Sequence, residues 1–277
     1  MSVIEHIGGW LPDREDDQYL SSLTSDIALL NIVGSYQEIA IDPRKALRVE
    51  AQGPLGSCQG HSISSVCEWC YILQTGEIDL QLSRAMGYYE TQRLDGISGD
   101  HGSTISGGVK LVCGTGICEE HLWPYTDNRY NNKRPSDWDT VIENAKDYRI
   151  QSSYRLNSYE SIRTFLGSGQ GAISIGVRWS KSMSTSVLTE FKRGKGGHAI
   201  GLFALSERKD SDNMPYLWMM NSWGKRWGNE GWSEWSPNAI REMLVDRFTV
   251  AIGLSDMPGV NPREWSVTEW KEKLRVI

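Results

Sequence analysis

Apolar residues recur at helical spacing in three stretches of the first half of the chain. The first stretch follows a segment broken by two glycines and a proline, and it ends at Gly76. The second covers residues 82–94, and the third runs from Ile105 to Gly114 behind Ser103, the predicted helix cap. The pattern predicts a helical first lobe, whose first helix buries a face made of Ile63, Val66, Cys67, Cys70 and Leu73.

The second half of the chain favours strands. Short apolar runs separated by polar turns predict five strands, over residues 172–179, 198–205, 216–221, 231–235 and 248–254. Two short helices interrupt them. Ser158 caps the first, which stops at Gly167, and Ser236 caps the second, which covers residues 237–244. Residues 126–157 are polar and irregular, so we expect them to carry the chain between the two lobes.

Two segments lie outside this core. Residues 1–40 form an N-terminal extension with an apolar stretch over 20–33, and they are either an inhibitory pro-segment or, as we favour, an extra element packed on the body. Residues 257–277 form a C-terminal tail, in which Ser266 and Glu269 match a capping box before a short helix carrying Trp270 and Leu274. We expect the tail to fold back onto the protein, although both segments offer contacts to protein partners or a larger assembly.

Composition and charge exclude several classes of function. The 277 residues carry a net charge of −6 without a basic stripe, which argues against nucleic-acid binding. A charged fraction of 23% and twelve tryptophans are typical of a folded protein. The first residues show neither a basic start nor a long apolar stretch, so we predict no secretory signal and no membrane partner. The odd number of five cysteines favours a reducing compartment, and therefore a cytoplasmic protein.

Cys58 is the candidate nucleophile, because it lies at the start of the first predicted helix. Unpaired backbone N–H groups and the positive end of the helix dipole stabilise a thiolate there, and the thiolate is the form that attacks carbonyl groups. Position alone is a weak signal, since most buried cysteines act as small apolar residues. The neighbouring residues and two motifs far downstream strengthen the assignment.

Gln52 precedes Cys58 by six positions, and His198 follows it within the separation of about 130 to 150 residues found in one protease family. The three motifs read Gly56-Ser57-Cys58, Gly197-His198-Ala199-Ile200 and Asn221-Ser222-Trp223-Gly224. Together with Gln52, in this order, they resemble the papain-like cysteine proteases. Two further stretches, Gly116-Ile117-Cys118-Glu119-Glu120 and Trp123-Pro124-Tyr125, are similar to the microbial or viral-type members of that family.

The resemblance implies an α+β, papain-like two-lobe fold. A helical N-terminal lobe of about residues 52–125 would pack on a β-barrel-like C-terminal lobe of about residues 158–255, with the active-site cleft between them. The peptidase domain would cover residues 41–256. Leu55 stands where many secreted members have a disulfide cysteine, which again favours a reducing compartment.

The resemblance also implies a role for each motif residue. Cys58 would be the nucleophile and His198 the base and acid, while Asn221 would orient the imidazole. Gln52 would donate to the oxyanion beside the backbone N–H of Cys58. The side chain of Trp223 would cover the hydrogen bond between His198 and Asn221. The substrate-binding residues implied are Trp223, Gly56, Gly102 and Gly197.

Some residues depart from this pattern or offer alternatives. Gln59 follows the cysteine where the family usually has an aromatic residue, which predicts weaker packing beside the nucleophile. His61 is a second candidate base, but three residues after the cysteine it would point into the lobe or into solvent. A zinc site is disfavoured, because two of its four cysteines lie on the apolar helix face and no histidine has ligand spacing. Those four are Cys67, Cys70, Cys113 and Cys118, and we predict neither metal nor cofactor.

The favoured function is a cysteine endopeptidase that hydrolyses a polypeptide substrate through a thioester on Cys58. An alternative is a papain-fold component of a larger assembly, for example a virion-associated protein, with weak or no activity. Gln59 and the extra segments at both ends motivate this alternative. A third hypothesis keeps the same residues but hands the thioester to an amine, which would make the protein a ligase or a transglutaminase-like enzyme.

Overall fold

The computed structural model describes residues 9–12, 42–127 and 132–259. Its first half contains the predicted helices α1 (Cys58–Thr75), α2 (Arg84–Asp95) and α3 (Ile105–Gly114). The helix α1 ends because Gly76 takes the left-handed conformation with φ of 70°. The hydroxyl of Ser83 caps α2 by accepting from Met86 N. The helices of the first lobe are therefore confirmed nearly to the residue.

The cap predicted for α3 is wrong by one position. Thr104, not Ser103, caps the helix, and its hydroxyl accepts from Gly107 N. The hydroxyl of Ser103 instead donates to Gln59 Oε1 at 2.9 Å. Ser103 is therefore engaged across the interior of the lobe and is fully buried.

The prediction that residues 126–157 are irregular is also wrong. This stretch contains the helix α4 (Trp138–Asp147) and the strand β1 (Ser152–Arg155). Asp137 starts the helix, because its carboxylate accepts from Thr140 N. Val141 and Ala145 are buried on α4, and Trp138 and Ile142 pack partly buried beside them, so the helix has an apolar face at helical spacing that was not predicted.

The second half contains the predicted strands and both short helices. The strands are β2 (Gly171–Trp179), β3 (Val187–Leu188), β4 (Gly196–Lys209), β5 (Pro215–Met220), β6 (Trp232–Trp235) and β7 (Val250–Ser255). The helices are α5 (Tyr159–Gly167) and α6 (Pro237–Val245), capped by Ser158 and Ser236 as predicted. Two 3₁₀ turns cover Pro43–Lys45 and Lys181–Met183.

The strands form one seven-stranded sheet with the order β1-β7-β2-β4-β5-β6-β3. All neighbouring pairs are antiparallel except β3 and β6, which run parallel. The sheet is not closed, because β1 and β3 lie at its two edges without pairing to each other. The predicted α+β class is confirmed, but the β-barrel-like lobe is corrected to an open, mixed sheet.

Helix α1 packs directly on this sheet and joins the two halves. The hydroxyl of Ser62 donates to Ile200 O at 2.8 Å and lies 2.8 Å from the hydroxyl of Ser174. Cys70 Sγ donates to Leu254 O farther along the helix. Nearly every side chain of α1 is buried, including Glu68, which forms a buried salt bridge with Arg84. The first residue of α1 is thereby fixed against β4.

Several predictions fall on other parts of the chain. The helix expected over 20–33 and the helix expected in the tail lie outside the described residues. Within the described residues, no helix has the length and apolar character needed to cross a bilayer. The same ranges contain no cluster of three or more His, Cys, Asp or Glu side chains placed to hold a metal ion.

Candidate active site

Cys58 is the first residue of α1, and its thiol points towards β4. Its Sγ accepts a hydrogen bond from Ala199 N at 3.4 Å, so the sulfur contacts the residue that follows His198. The N-cap residue, Ser57, makes no side-chain capping bond. Its hydroxyl lies 2.6 Å from that of Tyr125, which donates to Gln52 O at 2.7 Å. Through these two hydrogen bonds, Tyr125 links Ser57 to Gln52 and holds the backbone that precedes Cys58 in place.

His198 lies on β4 opposite Val177, and its ring is held by Asn221. The distance from His198 Nε2 to Asn221 Oδ1 is 2.7 Å. Asn221 Oδ1 also accepts from Ser222 N at 2.8 Å, which identifies this atom as the amide oxygen. His198 Nε2 must then be the donor, so Nδ1 of the neutral ring carries a lone pair. Within the described ranges, Nδ1 has no hydrogen-bond partner and remains able to accept a proton.

Two tryptophans enclose the imidazole. The ring of Trp223 stacks on His198 with centroids 4.7 Å apart and an interplanar angle of 29°. The ring of Trp179 meets His198 edge-on at 5.0 Å. Trp223 thus lies beside the bond between His198 and Asn221, where the motif implied it. Both indoles pack against the imidazole, so the ring has little freedom to rotate, and they also keep water away from it.

Burial determines the protonation states of Cys58 and His198. Burial raises the pKa of Cys58 to about 12, although N–H groups of Ala199, Gln59 and Gly9 partly offset it. Burial also lowers the pKa of His198 to about 4, against a smaller opposing effect of Asn221. The thiolate favoured by the helix start is therefore not the resting form here. The covered site holds a neutral thiol and a neutral imidazole at pH 7.

Gln52 is fully buried and its amide is oriented by two contacts. Its Oε1 accepts from the hydroxyl of Ser222 at 2.6 Å, and its Nε2 donates to Leu55 O at 2.7 Å. An amide nitrogen carries two hydrogens, so the second one remains for another acceptor. The backbone of Gln52 also pairs with the loop after Asn221, because Gln52 N donates to Ser222 O. This hydrogen bond holds Gln52, the predicted oxyanion donor, close to Asn221, which orients the imidazole.

Residues 9–12 lie in the cleft and cover the nucleophile. Ser103 N donates to Gly9 O at 3.1 Å, and Leu11 N donates to Ser103 O at 3.0 Å, so Trp10 forms a parallel bridge with Ser103. The indole of Trp10 is buried, and Cys58 and His198 have no exposed surface. A peptide can reach the sulfur only when this segment moves aside.

The three glycines predicted to bind substrate all border residues 9–12. A Cβ on Gly102 would lie 2.3 Å from Gly9 O, and one on Gly197 would lie 2.2 Å from Trp10 O. Gly102 has a φ of 83°, which a residue with a side chain rarely adopts. A Cβ added to Gly9 would lie 2.4 Å from Gly56 O. The structure thus brings these glycines together along the path of one extended peptide.

Gln59, which departs from the family pattern, and His61, the alternative base, are both buried. Gln59 accepts from Ser103, and its Nε2 lies where a Cβ on Gly108 would be only 1.8 Å away. The weaker packing expected beside the nucleophile is therefore not found, because the glycine makes room for the amide. The Nδ1 of His61 lies 3.0 Å from Ser57 O and its ring meets Tyr125 edge-on, so the ring is held within the first lobe, where it borders a small cavity shared with β4.

Some residues of the site were missed from the sequence. Trp179 comes from an apolar strand with no motif of its own, and Trp10 follows two glycines outside the matched core. Only Ser222 carried a signal, because it lies inside the Asn-Ser-Trp-Gly motif. The contacts of Trp179 and Trp10 depend on strand pairing between distant parts of the chain, which a local pattern does not show.

A thiol at a helix start, next to a histidine held by an asparagine, defines a cysteine-dependent hydrolase in its general architecture. The chain belongs to the papain family of cysteine proteases, whose family model matches residues 39–250. It is 27% identical over 206 residues to an uncharacterised peptidase C1-like protein of Acanthamoeba polyphaga mimivirus. It is 28% identical over 215 residues to Peptidase 1 of Psoroptes ovis.

These matches cover 68% and 74% of this chain, and 64% and 61% of the two relatives, so the chain spans less than two thirds of their length. Among solved structures, the fold is similar to xylellain, a cysteine protease from Xylella fastidiosa, with a TM-score of 0.72 and 20% identity. That match covers 90% of this chain and 96% of xylellain. Bromelain from Ananas comosus in complex with the E64 inhibitor matches with a TM-score of 0.61 and 19% identity, over 79% and 99% of the two chains.

Proposed function

We propose that the protein is a cysteine endopeptidase that hydrolyses polypeptides through a thioester on Cys58. The observation that carries the proposal is the hydrogen bond from His198 Nε2 to Asn221 Oδ1, which leaves Nδ1 unprotonated. The contact between Cys58 Sγ and Ala199 N supports it, because it holds the sulfur against the residue next to His198. The proposal therefore joins a base with an available lone pair to a sulfur that contacts the next residue of the same strand.

The first half of the reaction forms the acyl-enzyme. His198 Nδ1 takes the proton of the Cys58 thiol, and the thiolate attacks the carbonyl carbon of the peptide bond. The resulting oxyanion accepts from Gln52 Nε2 and from the backbone N–H of Cys58, which has no intrahelical acceptor at the first helical position. The imidazolium then protonates the leaving amine. The peptide C–N bond breaks and a thioester remains on the sulfur.

The second half regenerates the enzyme. Water enters after the amine leaves, and His198 Nδ1 removes its proton as it attacks the thioester. The carboxylic acid departs and the thiol is restored. Throughout both halves, Asn221 and the two flanking tryptophans hold the ring in one orientation, so that the same nitrogen serves as base and acid.

A peptide-based epoxide that alkylates thiols tests the assignment. The chain carrying Trp10→Ala, in which the cover is opened, should be labelled at one residue, and Cys58→Ala on the same background should abolish the labelling. Cys113→Ala is the matched control, because Cys113 is a partly exposed free cysteine outside the cleft. Undiminished labelling of Cys58→Ala would remove the basis for the proposal.

The buried, neutral pair also favours a second candidate, a papain-fold component of an assembly with little activity. Cys58 and His198 have no exposed surface, and residues 9–12 cover them. Digestion of denatured casein under reducing conditions separates the two candidates. Cleavage that disappears in Cys58→Ala supports the enzyme. Its absence, even when residues 9–12 are substituted, supports the assembly component.

A further inference from the structure

Three arginines surround one phenyl ring just before the start of β7. The guanidinium carbons of Arg178, Arg247 and Arg193 lie 3.8, 4.7 and 5.4 Å from the centre of the Phe248 ring. All three distances fall within the roughly 6 Å over which the face of an aromatic ring attracts a cation. Because the three carbons surround the same ring, no two of them are more than about 10 Å apart. Three positive charges therefore share a small part of the surface.

One carboxylate neutralises only part of this charge. The Nε of Arg193 lies 3.1 Å from Asp246 Oδ2. Among the residues that the structure describes, the guanidinium groups of Arg178 and Arg247 have neither a hydrogen-bond acceptor nor an ion-pair partner, and the Nε of Arg178 is buried in this state. Three cations and one carboxylate leave this described cluster with a net charge of +2, although the whole chain carries −6.

The aromatic ring holds the arginines in place without using their hydrogen-bond donors. A guanidinium that stacks on a ring keeps its five N–H groups, which point outwards in its own plane. Phe248 is itself partly buried against the core of the first lobe. Gly194 N donates to Arg178 O at 3.0 Å, so the loop that carries Arg193 is tied to β2. The donors are therefore oriented before any ligand binds, which lowers the entropy cost of binding.

The cluster lies beside the proposed catalytic histidine. Arg178 on β2 pairs directly with Gly197, the residue before His198. Paired Cα atoms of antiparallel strands are about 4.5 to 5.5 Å apart and consecutive ones about 3.8 Å, so the Cα atoms of Arg178 and His198 lie within roughly 9 Å. Directly paired residues share a face of the sheet. Gly197 contacts Trp10 on that face, so a peptide bound in the cleft passes beside the arginines.

We propose that Arg178 and Arg247 bind an Asp or Glu side chain of the polypeptide substrate, so that the protein selects peptides with an acidic residue at one fixed distance from the cleaved bond. The inference rests on the proposed peptidase function. A carboxylate can accept two parallel hydrogen bonds from one guanidinium and still face the charge of the second. An apolar or basic side chain at the same place leaves both guanidinium groups without a counter-charge.

Cleavage of designed peptides by the full chain carrying Trp10→Ala, in which the cover is opened, tests this selection. The probes are blocked peptides of Gly, Ala, Leu and Ser with a single Glu at successive positions, and matched peptides carry Gln there. Mass spectrometry should show cleavage at one constant distance from Glu, with kcat/KM at least tenfold above that of the Gln peptide. The ratio should fall as NaCl rises from about 0.05 M to about 0.5 M, because salt screens charge pairs. Equal rates for Glu and Gln at every position would overturn the proposal.

Removal of the two charges gives a second, independent test. On the same background, Arg178→Gln and Arg247→Gln together should reduce the preference for Glu over Gln at least tenfold. Arg241→Gln is the matched control and should leave the preference unchanged. Arg241 also lies over a ring, 4.8 Å from the centre of Tyr159, but it is paired with Glu160. A Glu preference that survives the double substitution contradicts the assignment.

Reversal of one charge keeps the test valid if Arg178→Gln is poorly folded. Arg247 is exposed, so Arg247→Glu leaves the packing of the sheet intact. The introduced carboxylate competes for Arg178 and repels an acidic side chain, and we expect it to reduce the Glu preference at least tenfold. A preference unchanged in Arg247→Glu would count against the arginine site.

Binding without turnover separates this inference from the proposed function. The Glu and Gln peptides, carrying the same fluorophore, are bound to the chain carrying Trp10→Ala and Cys58→Ala and followed by fluorescence anisotropy. The Kd should be at least tenfold lower for the Glu peptide. Such selective binding without peptide cleavage by Trp10→Ala would retain the arginine site but refute the peptidase. Cleavage without selective binding or Glu preference would retain the peptidase but refute the arginine site.

Discussion

Cys58 Sγ accepts a hydrogen bond from Ala199 N at 3.4 Å. This single contact joins the first residue of a buried helix to the middle strand of the sheet, one position after His198. Its counterpart is the 2.7 Å hydrogen bond between His198 and Asn221, which turns the unprotonated ring nitrogen away from the asparagine. The geometry of the site therefore depends on how α1 packs against β4.

Removing the side chain of Trp10 should expose the nucleophile. In the unsubstituted chain, burial holds the pKa of Cys58 at about 12, so alkylation by iodoacetamide should be slow at pH 7.5 and should rise only in strong alkali. In Trp10→Ala, water reaches the sulfur and the pKa falls, and we expect alkylation of Cys58 at pH 7.5 to accelerate at least tenfold. Peptide mapping of the modified residue against pH measures both effects.

The control for this experiment is Leu94→Ala, because Leu94 is an apolar residue that is already 51% exposed on α2. It should leave the pH profile of Cys58 alkylation unchanged. An identical profile for Trp10→Ala and the unsubstituted chain would mean that residues 9–12 do not control access to the thiol.

Asn221→Ala should reduce kcat/KM for peptides about a hundredfold. The variant loses the acceptor of His198 Nε2, so the ring can rotate and can adopt the other tautomer, in which Nδ1 no longer accepts a proton. Steady-state kinetics on the Trp10→Ala background measures the loss. Asn238→Ala on the exposed surface of α6 should have no effect, whereas full activity of Asn221→Ala would contradict the orienting role.

His61 should make the stability of the protein depend on pH. Burial lowers its folded pKa to about 3, well below that of an unfolded histidine near 6.5. The neutral folded ring therefore contributes stability that is present above pH 6.5 and is lost as the pH falls, because the unfolded chain binds the proton first. Between pH 6.5 and pH 4.5 the loss amounts to roughly 2 to 3 kcal/mol of unfolding free energy.

Urea denaturation of the unsubstituted chain and of His61→Gln at these two pH values isolates this effect. The glutamine does not titrate, so the difference in unfolding free energy between the two proteins should shrink by roughly 2 to 3 kcal/mol on acidification. Other carboxylates and histidines titrate equally in both proteins and cancel. A difference that does not change with pH would show that His61 is not a buried neutral ring.

The sequence predicted most of the helices and strands because their signals are local. Ser83, Ser158 and Ser236 cap helices, and Gly76 ends one, through contacts within a few residues. The helix α4 was not predicted, although its apolar residues recur at helical spacing, because the run is short and lies among polar residues. The open sheet was not predicted either, because which strands form edges depends on pairing between distant segments, such as β3 with β6.

The same distinction applies to the candidate site. Gln52, Cys58, His198 and Asn221 could be named because each lies in a short motif. Their protonation could not be predicted, because the pKa shifts of Cys58 and His198 come from burial under residues far away in sequence. The cover formed by Trp10 depends on a bridge to Ser103, about ninety positions later, for which no local pattern exists.

Direct capture of the thioester on Cys58 provides the most decisive measurement. The Trp10→Ala chain is mixed with a peptide ester, quenched in acid after milliseconds to seconds, and analysed by intact mass and peptide mapping. We predict an acyl group on Cys58 that forms faster than product accumulates, disappears with time, and is absent from Cys58→Ala. Hydrolysis of the ester without any adduct on Cys58, at an equal rate in Cys58→Ala, would contradict its role as the nucleophile.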